Sequence, residues 1–308
     1  MLMKPSDITI AIPTYGRDAV LLETVRQLAA QDPAAGAVLV VDQTVAHDAQ
    51  TTRQLQEWHQ EGRIQWIRLE RPSVVIAMNT ALRVAVTTVV LFVDDDIIPA
   101  PGLVAAHAAA YEAVPEAWAV AGQVLQPGDT SKDVQFRGLT SGLTAFETFS
   151  FFSRQAQWIG NVMAGNLSVK RVSALEVGGF DENFIPPVAY RFETEFAHRL
   201  LAAGGRIWFE PRASLRHLRA VSGGTRSLGS HLTSASPLHG VGDYYYALRC
   251  GRGWERLVYM VRRPFREVRT RFHLGHPWWI PVKFIGELRA LALALRLFRK
   301  GPKLLEMP

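Results

Sequence analysis

Three adjacent carboxylates are the first residues of this sequence whose types and spacing could do chemistry. They are Asp94, Asp95 and Asp96 in "LFVDDDIIPAPG", directly behind a run of apolar side chains. Aspartates normally ionise near pH 4, so three neighbours repel one another at neutral pH. Either they form a solvated turn that caps the next helix, or they hold a divalent cation whose charge dominates the local field.

Two further carboxylates and one imidazole are also candidates for chemistry, and the imidazole could add a ligand to a cation site. Glu193 and Glu195 lie in "RFETEFAHRL", and His217 lies in "LRHLRAVSGGTR". On a helix, Glu195 and Arg199 have the spacing of an ordinary ion pair, whereas Glu193 lies on another face. Imidazole is a common metal ligand, although a single histidine is more often structural. Carboxylates with one imidazole suit Mg²⁺ or Mn²⁺ better than Zn²⁺.

Alternating apolar strands and helices would position these groups. We predict strands at 7–15, 37–44, 63–70 and 88–96, and helices at 17–32, 49–62 and 73–87. Such an alternation is typical of an α/β protein with a parallel sheet covered on both faces. Ligands collect at the carboxyl ends of these strands, where the aspartate cluster lies, so the placement favours a site over a solvated turn.

The following stretch has a different pattern. We predict strands at 117–126, 160–171 and 206–211, a helix at 187–205, and a loop between the first two strands. The expected organisation is a domain over residues 1–250, with parts at about 1–117 and 118–250. A basic, amphipathic helical segment follows over residues 251–308.

Length and composition limit the class of protein. The chain has 308 residues, of which 48% are hydrophobic and 20% charged, enough for a large globular core. Cys250 is its one cysteine, so no intramolecular disulfide can form and a reducing compartment fits. The N-terminal apolar stretch is too short for a signal peptide, and no apolar run approaches the roughly 18 residues of a spanning helix. We therefore expect a cytoplasmic location.

Basic side chains concentrate toward the C-terminus. Residues 1–210 carry 16 Lys/Arg and 23 Asp/Glu, whereas residues 211–308 carry 18 and 5. Such asymmetry suggests that the basic part meets a polyanion or an anionic membrane. No recognised nucleic-acid module is present, so a nucleic-acid partner is not expected.

The last predicted helix, at 283–303, is amphipathic. One stripe of it carries the apolar residues Phe284, Leu288, Leu291, Leu295 and Phe298. The stripe either packs on the preceding domain or lies in a membrane interface, with Trp278 and Trp279 at headgroup depth. The second reading would place the protein on the inner face of the plasma membrane.

Seven stretches follow one another in the order of a known family. They are "IPTYGR", "VVDQT", "NTALRVA", "LFVDDDIIPAPG", "GNLSVKR" with "VGGFDENF", "FETEFAHRLLAAGGRIWFEP" and "RHLRAVSGGTR". Over about residues 6–230 the sequence resembles a family-2 glycosyltransferase of the GT-A fold. The resemblance implies a Rossmann-like, mostly parallel sheet flanked by helices. It also implies transfer of a sugar from a nucleotide-diphosphate donor to an acceptor hydroxyl, with inversion at the anomeric carbon.

The same resemblance implies a DxD-type motif that binds the donor through a divalent metal, Mn²⁺ or Mg²⁺. Asp94 and Asp96 would hold the metal with His217, and Asp95 would touch the ribose. A diphosphate leaving group needs its charge neutralised as the glycosidic bond breaks, which agrees with carboxylates that hold a cation.

Further site residues are implied by position in the family pattern. The nucleotide would contact Pro13, Thr14, Tyr15, Arg17, Asp42, Asn79, Asp94 and Asp95, and the pocket between donor and acceptor would include Gly165 and Asn166. The expected donor is a UDP-, dTDP- or GDP-sugar. The expected acceptor is a carbohydrate or a lipid-linked molecule, in surface-polysaccharide or glycolipid synthesis.

One position departs from the family pattern. Relatives commonly carry "ED" ahead of "xE(F/L)xxRL", where the Asp deprotonates the acceptor hydroxyl. Aligning "TEFAHRL" puts Glu193 at that Asp and Phe192 at the Glu. We predict Glu193 as the general base, its carboxylate about one methylene further from the backbone, with Glu195 as the fallback.

Three other functions stay open. A sugar-nucleotide nucleotidyltransferase would carry a Gly-rich, basic loop after the first strand, but "IPTYGRDA" has one glycine. A phosphohydrolase similar to the haloacid dehalogenases would carry its Asp motif on the first strand rather than the fourth. A catalytically inactive sugar- or membrane-binding relative would explain the missing "ED".

Overall fold

A computed structural model describes residues 2–134, 143, 149–186, 188–221, 223–224 and 229–306 of the chain. Its N-terminal half alternates strands with helices. The strands are β1 (Ile8–Thr14), β2 (Ala37–Asp42), β3 (Gln65–Arg68) and β4 (Val89–Val93), and the helices are α1 (Ala19–Ala29), α2 (Ala49–Gln60) and α3 (Val74–Val84). These strands are parallel, in the order β3-β2-β1-β4. The predicted alternation is confirmed.

The apolar strands make the centre of the core. Ile8, Ile10 and Ile12 of β1 are fully buried, as is every residue of β4 to within 1%. Because helices cover both faces of the sheet, neither face of these strands needs polar side chains. The polar residues are therefore displaced to the strand ends.

The second half completes one mixed sheet. Its elements are β5 (Ile97–Pro99), α4 (Leu103–Ala113), β6 (Ala117–Leu125), β7 (Gln157–Ile159), β8 (Asn166–Lys170), α5 (Arg171–Glu176), α6 (Phe192–Ala202) and β9 (Arg206–His217). Strand β8 lies antiparallel between β4 and β6, and β9 continues parallel to β6. The architecture is the predicted α/β GT-A fold. The predicted loop at 127–159 lies partly outside the described residues.

Strand β9 is longer than the predicted strand at 206–211. It continues to His217 because a register shift against β6 after Glu210 lets the strand bend and go on pairing. Its last residues then pair with β5, with His217 opposite Ile97. This extension carries His217 to the end of β4, where the aspartates lie.

Four helices form the C-terminal part: α7 (Val241–Cys250), α8 (Gly253–Val268), α9 (Arg271–Gly275) and α10 (Trp279–Lys300). Short 3₁₀ helices lie at Pro5–Asp7 and Pro237–His239. Helix α10 packs along α7 and also contacts α8. Among the described helices, none combines the length and the apolar character that crossing a membrane would require.

The buried face of α10 coincides only in part with the predicted apolar stripe. Leu291, Leu295 and Phe298 of that stripe are partly buried and pack against the core. Leu288 of that stripe is 53% exposed, while Lys283, Glu287, Ala290 and Ala294 are buried. Small side chains let α10 approach its neighbours closely, and the two charged residues pair with each other at 2.8 Å. Part of the stripe therefore packs on the rest of the protein, while small residues and one charge pair take the fully buried positions of α10.

The chain after α10 returns to the loop that precedes α6. The backbone N–H of Leu305 donates to Gly178 O, and that of Lys303 donates to the Asp181 carboxylate. Leu305 is buried against Gly179, where a side chain would collide with it. The C-terminal segment is thus attached at both its helices and its end, and the predicted boundary at residue 250 falls in the turn between α7 and α8.

Candidate active site

The ends of β1 and β4 bring the first site residues together. These strands are parallel neighbours, so Thr14 and the aspartate cluster meet at one edge of the sheet. The Thr14 hydroxyl donates to Asp95 at 2.7 Å. Arg17 donates to Asp95 at 3.3 Å through Nε and to Asp96 at 3.2 Å through Nη2. Arg17 therefore holds two of the three carboxylates in place.

One nitrogen of Arg17 is left over. Its Nη1 is buried and has no hydrogen-bond partner among the described residues. A buried donor without a hydrogen bond destabilises the folded state by about 1–3 kcal/mol, and most buried donors in proteins therefore have a partner. Because Arg17 lines a cavity, an acceptor that enters the cavity can supply that partner.

Asp94, Asp96 and His217 form a cluster with the donor atoms of a metal site. One ligand atom from each lies within 4.8 Å of the other two. His217 Nε2 is 3.4 Å from Asp94 Oδ2 and 3.2 Å from Asp96 Oδ1, and its Nδ1 lies 3.1 Å from Gln126 Oε1, which orients the ring. Two carboxylate oxygens and one imidazole nitrogen fit Mn²⁺ or Mg²⁺.

The three aspartates differ in environment. Burial raises the pKa of Asp95 to about 6 and also raises the pKa of Asp94, to which the charge of Asp96 contributes. Burial works in the same direction on Asp96, but hydrogen bonds from His217 and the Ala220 N–H hold its pKa below the usual value. The Asp94 side chain is 46% exposed. Asp94 is thus the carboxylate most open to a ligand.

Gly165 leaves the space that Asp94 occupies. A Cβ at this position would lie 2.4 Å from Asp94 Oδ2, far inside a normal contact. The preceding residue, Ala164, donates its backbone N–H to the Glu193 carboxylate. The segment that carries Gly165 therefore contacts both the aspartate cluster and Glu193.

Glu193 lies in the first turn of α6 and is partly buried. Burial, with a contribution from the negative charge of Asp94, raises its pKa to about 7, although the Ala164 N–H and Arg191 oppose the shift. A carboxylate that titrates near neutral pH is suited to accept a proton. Glu193 therefore has a setting that suits a base, and its catalytic role stays a prediction.

Glu195 has a different setting. It is fully buried, and Arg199 binds both of its oxygens at 2.8 and 2.9 Å. The same guanidinium also donates to Gly179 O at 2.7 Å. Because Glu195 is buried and paired with Arg199, the structure favours Glu193 over Glu195 as the predicted base.

Three predicted contact residues instead fill structural roles. Asp42 is buried, and its carboxylate accepts hydrogen bonds from Trp66 Nε1 and the Thr44 N–H and pairs with His47. The neighbouring Gln43, which the sequence analysis missed, lines the cavity in its place. The end of β2 is therefore at the cavity, but the side chain that faces it is one residue later.

Asn79 and Asn166 are the other two predicted contact residues that fill structural roles. Asn79 donates to Phe180 O and accepts from Phe180 N, both at 2.8 Å, so it clamps the loop that precedes α6. Asn166 is fully buried, donates to Gln123 O and Ala213 O, and pairs with His107. The side-chain amides of Asn79 and Asn166 are hydrogen-bonded to residues far away in sequence. Neither residue lines the cavity.

The cavity itself has a volume of about 230 Å³. Its lining comprises Pro13, Thr14, Tyr15, Arg17, Gln43, Pro72, Ser73, Val74, Asp94, Asp95, Asp96, Pro186, His217, Gly223 and Gly224. Gly223 and Gly224 have positive φ angles of 81° and 60°, and Gly224 N donates to Tyr15 O at 2.9 Å. The two glycines of "SGGTR" were the signal for this contact, since a turn with positive φ favours glycine.

The sequence profile of glycosyl transferase family 2 matches residues 9–173, which is more than half of the chain. A comparison with curated protein sequences finds no match. The matched region holds β1 to β8 and the aspartate cluster, and ends before α6.

Solved structures share this fold at low sequence identity. GalNAc-T7 with UDP, GalNAc and Mn²⁺ matches with a TM-score of 0.64 and 13% identity, over 94% of this chain and 55% of its own. The mannosyltransferase PcManGT from Pyrobaculum calidifontis, in complex with GDP-Man and Mn²⁺, matches with 0.53 and 19%, over 96% and 79%. S. aureus TarS 1–349 in complex with UDP-GlcNAc matches with 0.56 and 16%, over 93% and 83%. The chain thus spans about half the length of GalNAc-T7.

Proposed function

Because this chain belongs to glycosyl transferase family 2 and has the GT-A fold, we propose that it is a metal-dependent, inverting glycosyltransferase that uses a nucleoside-diphosphate sugar. The proposal rests on the arrangement of a candidate metal site and a candidate base. The cluster of Asp94, Asp96 and His217 lies at a cavity, and Gly165, which abuts Asp94, follows the Ala164 that holds Glu193.

The donor binds in the cavity. Asp94, Asp96 and His217 would hold Mn²⁺ or Mg²⁺, which when bound would supply positive charge to neutralise a leaving diphosphate. Arg17 Nη1, buried and unsatisfied, donates to an acceptor atom of the nucleotide. Tyr15 and Gln43 line the wall and are placed to contact the base or ribose. Asp95 stays bound to Thr14 and Arg17 and positions the arginine.

Glu193 deprotonates the acceptor. In an inverting displacement the acceptor oxygen forms its bond to the anomeric carbon while the bond from that carbon to the phosphate oxygen breaks. The hydroxyl proton passes to the Glu193 carboxylate, and the bonding electron pair leaves on the diphosphate. A base with a pKa of about 7 is ionised often enough at neutral pH to do this, and basic enough to assist.

The donor is a UDP-, dTDP- or GDP-sugar, and the acceptor is a carbohydrate or a lipid-linked molecule of surface-polysaccharide or glycolipid synthesis. Two of the similar structures hold UDP-GlcNAc and GDP-Man, which makes those two sugars the first donors to examine.

A donor panel tests the proposal. We expect release of free nucleoside diphosphate from one donor class in the presence of Mn²⁺ or Mg²⁺, stimulated by the correct acceptor and abolished by excess EDTA. Release of pyrophosphate from a sugar phosphate and a nucleoside triphosphate would instead show a nucleotidyltransferase. Donor binding without turnover across a broad acceptor panel would support an inactive binding relative, and release that persists in EDTA would contradict the metal site.

A further inference from the structure

Helix α8 packs with its polar face inward. Its large apolar residues Trp254, Leu257, Val261 and Phe265 are 75%, 44%, 53% and 54% exposed. Their spacing of three, four and four residues places them on one stripe of the helix; we call these four residues the α8 stripe. An amphipathic helix of a soluble domain normally turns such a stripe toward the core, so a stripe exposed among the described residues indicates an interaction surface.

The inward face of α8 carries charged and polar side chains that pair with residues of neighbouring helices. Arg263, 3% exposed, pairs with Asp243 at 2.8 Å and with Glu267 and Glu287 at 3.1 Å. The Tyr259 hydroxyl donates to Asp243 at 2.7 Å. If α8 rotated to bury the stripe, Arg263 would leave Asp243 and Glu287. These buried carboxylates would then each lose a positive partner, which would destabilise the fold.

The apolar surface continues onto the next elements. The Phe265 ring lies 6.3 Å from that of Phe284 in α10, and the adjoining Ile285 and Leu288 are 47% and 53% exposed. Trp278, at the start of α10, is 64% exposed. Of the sixteen large hydrophobic residues that are exposed in the described part of the chain, eight fall between residues 254 and 288, so the surface is concentrated.

The positive charge around the α8 stripe indicates which kind of partner it fits. Residues 251–308 hold 13 basic and 4 acidic side chains, and Arg262, Arg269 and Arg271 are exposed beside the apolar residues. Two copies of this chain that met through such a surface would bring like charges together. An anionic phospholipid surface offers both the opposite charge and an apolar boundary in which tryptophan and phenylalanine side chains can lie.

We propose that the α8 stripe, with Trp278, Ile285 and Leu288, docks the protein on an anionic lipid bilayer as an interfacial surface. The apolar side chains enter the headgroup boundary, and the flanking arginines pair with lipid phosphates. This inference is independent of the donor chemistry proposed above.

Sedimentation with vesicles tests the proposal on the full chain. The probes are vesicles of phosphatidylcholine alone and vesicles with increasing phosphatidylglycerol. We expect binding that rises with phosphatidylglycerol and weakens but persists in high salt, because the apolar part is not screened. The double variant Leu257→Glu/Phe265→Glu should lower the partition coefficient at least about tenfold. The double variant Arg262→Gln/Arg269→Gln should lower the dependence on phosphatidylglycerol and on salt.

Matched controls carry the same changes elsewhere. Val86→Glu/Val172→Glu alters two residues that are 94% and 62% exposed in the first domain, and Arg53→Gln removes an exposed charge there; both should bind vesicles as the unaltered chain does. All variants should keep their circular dichroism spectrum and unfolding midpoint. The proposal is overturned if the full chain does not bind acidic vesicles or if the stripe variant binds normally. It is equally overturned if light scattering shows a lipid-free dimer that the stripe variant dissociates, since a second copy would then cover the stripe.

Discussion

The molecule contains two clusters of buried carboxylates, and they are compensated to different degrees. At the ends of β1 and β4, Asp95 and Asp96 share Arg17, while Asp94 remains 46% exposed at the cavity. Between α7, α8 and α10, Asp243 alone is bound by Arg191, Arg263 and Arg266 at 2.8–3.0 Å. The first cluster has one guanidinium for its three carboxylates, whereas in the second three guanidinium groups surround the Asp243 carboxylate.

The pKa directions follow from this difference. Burial raises the pKa of Asp95 to about 6 and that of Glu193 to about 7. Burial acts on Asp243 in the same way, but the guanidinium groups of Arg263 and Arg191 hold its pKa below the usual value. The carboxylates near the cavity have too few positive partners, so they are able to bind a cation or take a proton. The Asp243 carboxylate is neutralised by its arginines and belongs to a structural network.

Arg191 connects the two clusters. It donates to Asp243 at 2.9 Å and stands just before α6 with a φ of 74°, two residues ahead of Glu193. The network that holds α8 and α10 therefore also fixes the start of the helix that carries the proposed base. Four predictions test how far the roles of the two clusters can be separated.

The largest expected effect is on activity at the open cluster. Asp94→Asn should lower transfer at least about 10³-fold, because the diphosphate loses its cation at the moment of bond cleavage. Nucleoside-diphosphate release and Mn²⁺ binding measure it, with Glu112→Gln, an exposed carboxylate on α4, as the control. Full activity of the variant would show that the cluster is structural.

The next effect is on stability at the closed cluster. Asp243→Asn should lower the free energy of unfolding by about 3–5 kcal/mol, because it leaves buried guanidinium groups without their counter-charge. Urea unfolding measures this, and Asp94→Asn is the comparison, which should not be destabilised. Equal stability of the two variants would remove the distinction between the clusters.

A smaller effect is expected from the base. Glu193→Gln should lower turnover by about 10² or more while donor affinity is kept, since proton transfer alone is lost. Glu195→Gln, which breaks the buried pair with Arg199, should instead lower stability. If Glu195→Gln loses turnover while folded and Glu193→Gln does not, the base is assigned to the wrong carboxylate.

The smallest effect is a stability gain that depends on pH. Because folding raises the pKa of Glu193 from 4.5 to about 7, its ionisation opposes folding, and stability falls as pH rises through that interval. Glu193→Gln should therefore unfold with a free energy roughly 1–3 kcal/mol higher than the unaltered chain above pH 7, and with little difference near pH 4.5. Asp243 has the opposite sign: its contribution is present above its ordinary pKa and is lost only as pH falls below it. A Glu193→Gln variant that is less stable at both pH values would contradict this account.

Much of the fold could be predicted from the sequence. The first four strands and three helices were predicted within a few residues, because buried parallel strands and amphipathic helices each leave a local apolar period. The length of β9 could not be predicted from the sequence. Its continuation to His217 depends on pairing with β5, which lies more than a hundred residues earlier in the chain.

The candidate site divides in the same way. The types and order of Asp94, Asp96, Glu193 and His217 pointed to a cation and a base, and the structure brings these residues to one region. Asn79 and Asn166 were expected at the ligand, but their amides are taken by Phe180 and Ala213, 101 and 47 residues away. No local pattern reports a hydrogen bond of that kind.

The sequence by itself determined the alternating strands and helices of the first half and where carboxylates gather, because each is a property of neighbouring residues. Only the tertiary structure decided which carboxylates are compensated and which face of α8 turns outward. Both depend on charges from distant elements: Arg17 reaches Asp95 across the sheet, and Asp243 draws Arg263 inward from α8. An ion pair in the core outweighs the apolar stripe of α8, because an unpaired buried charge costs more than exposed apolar surface.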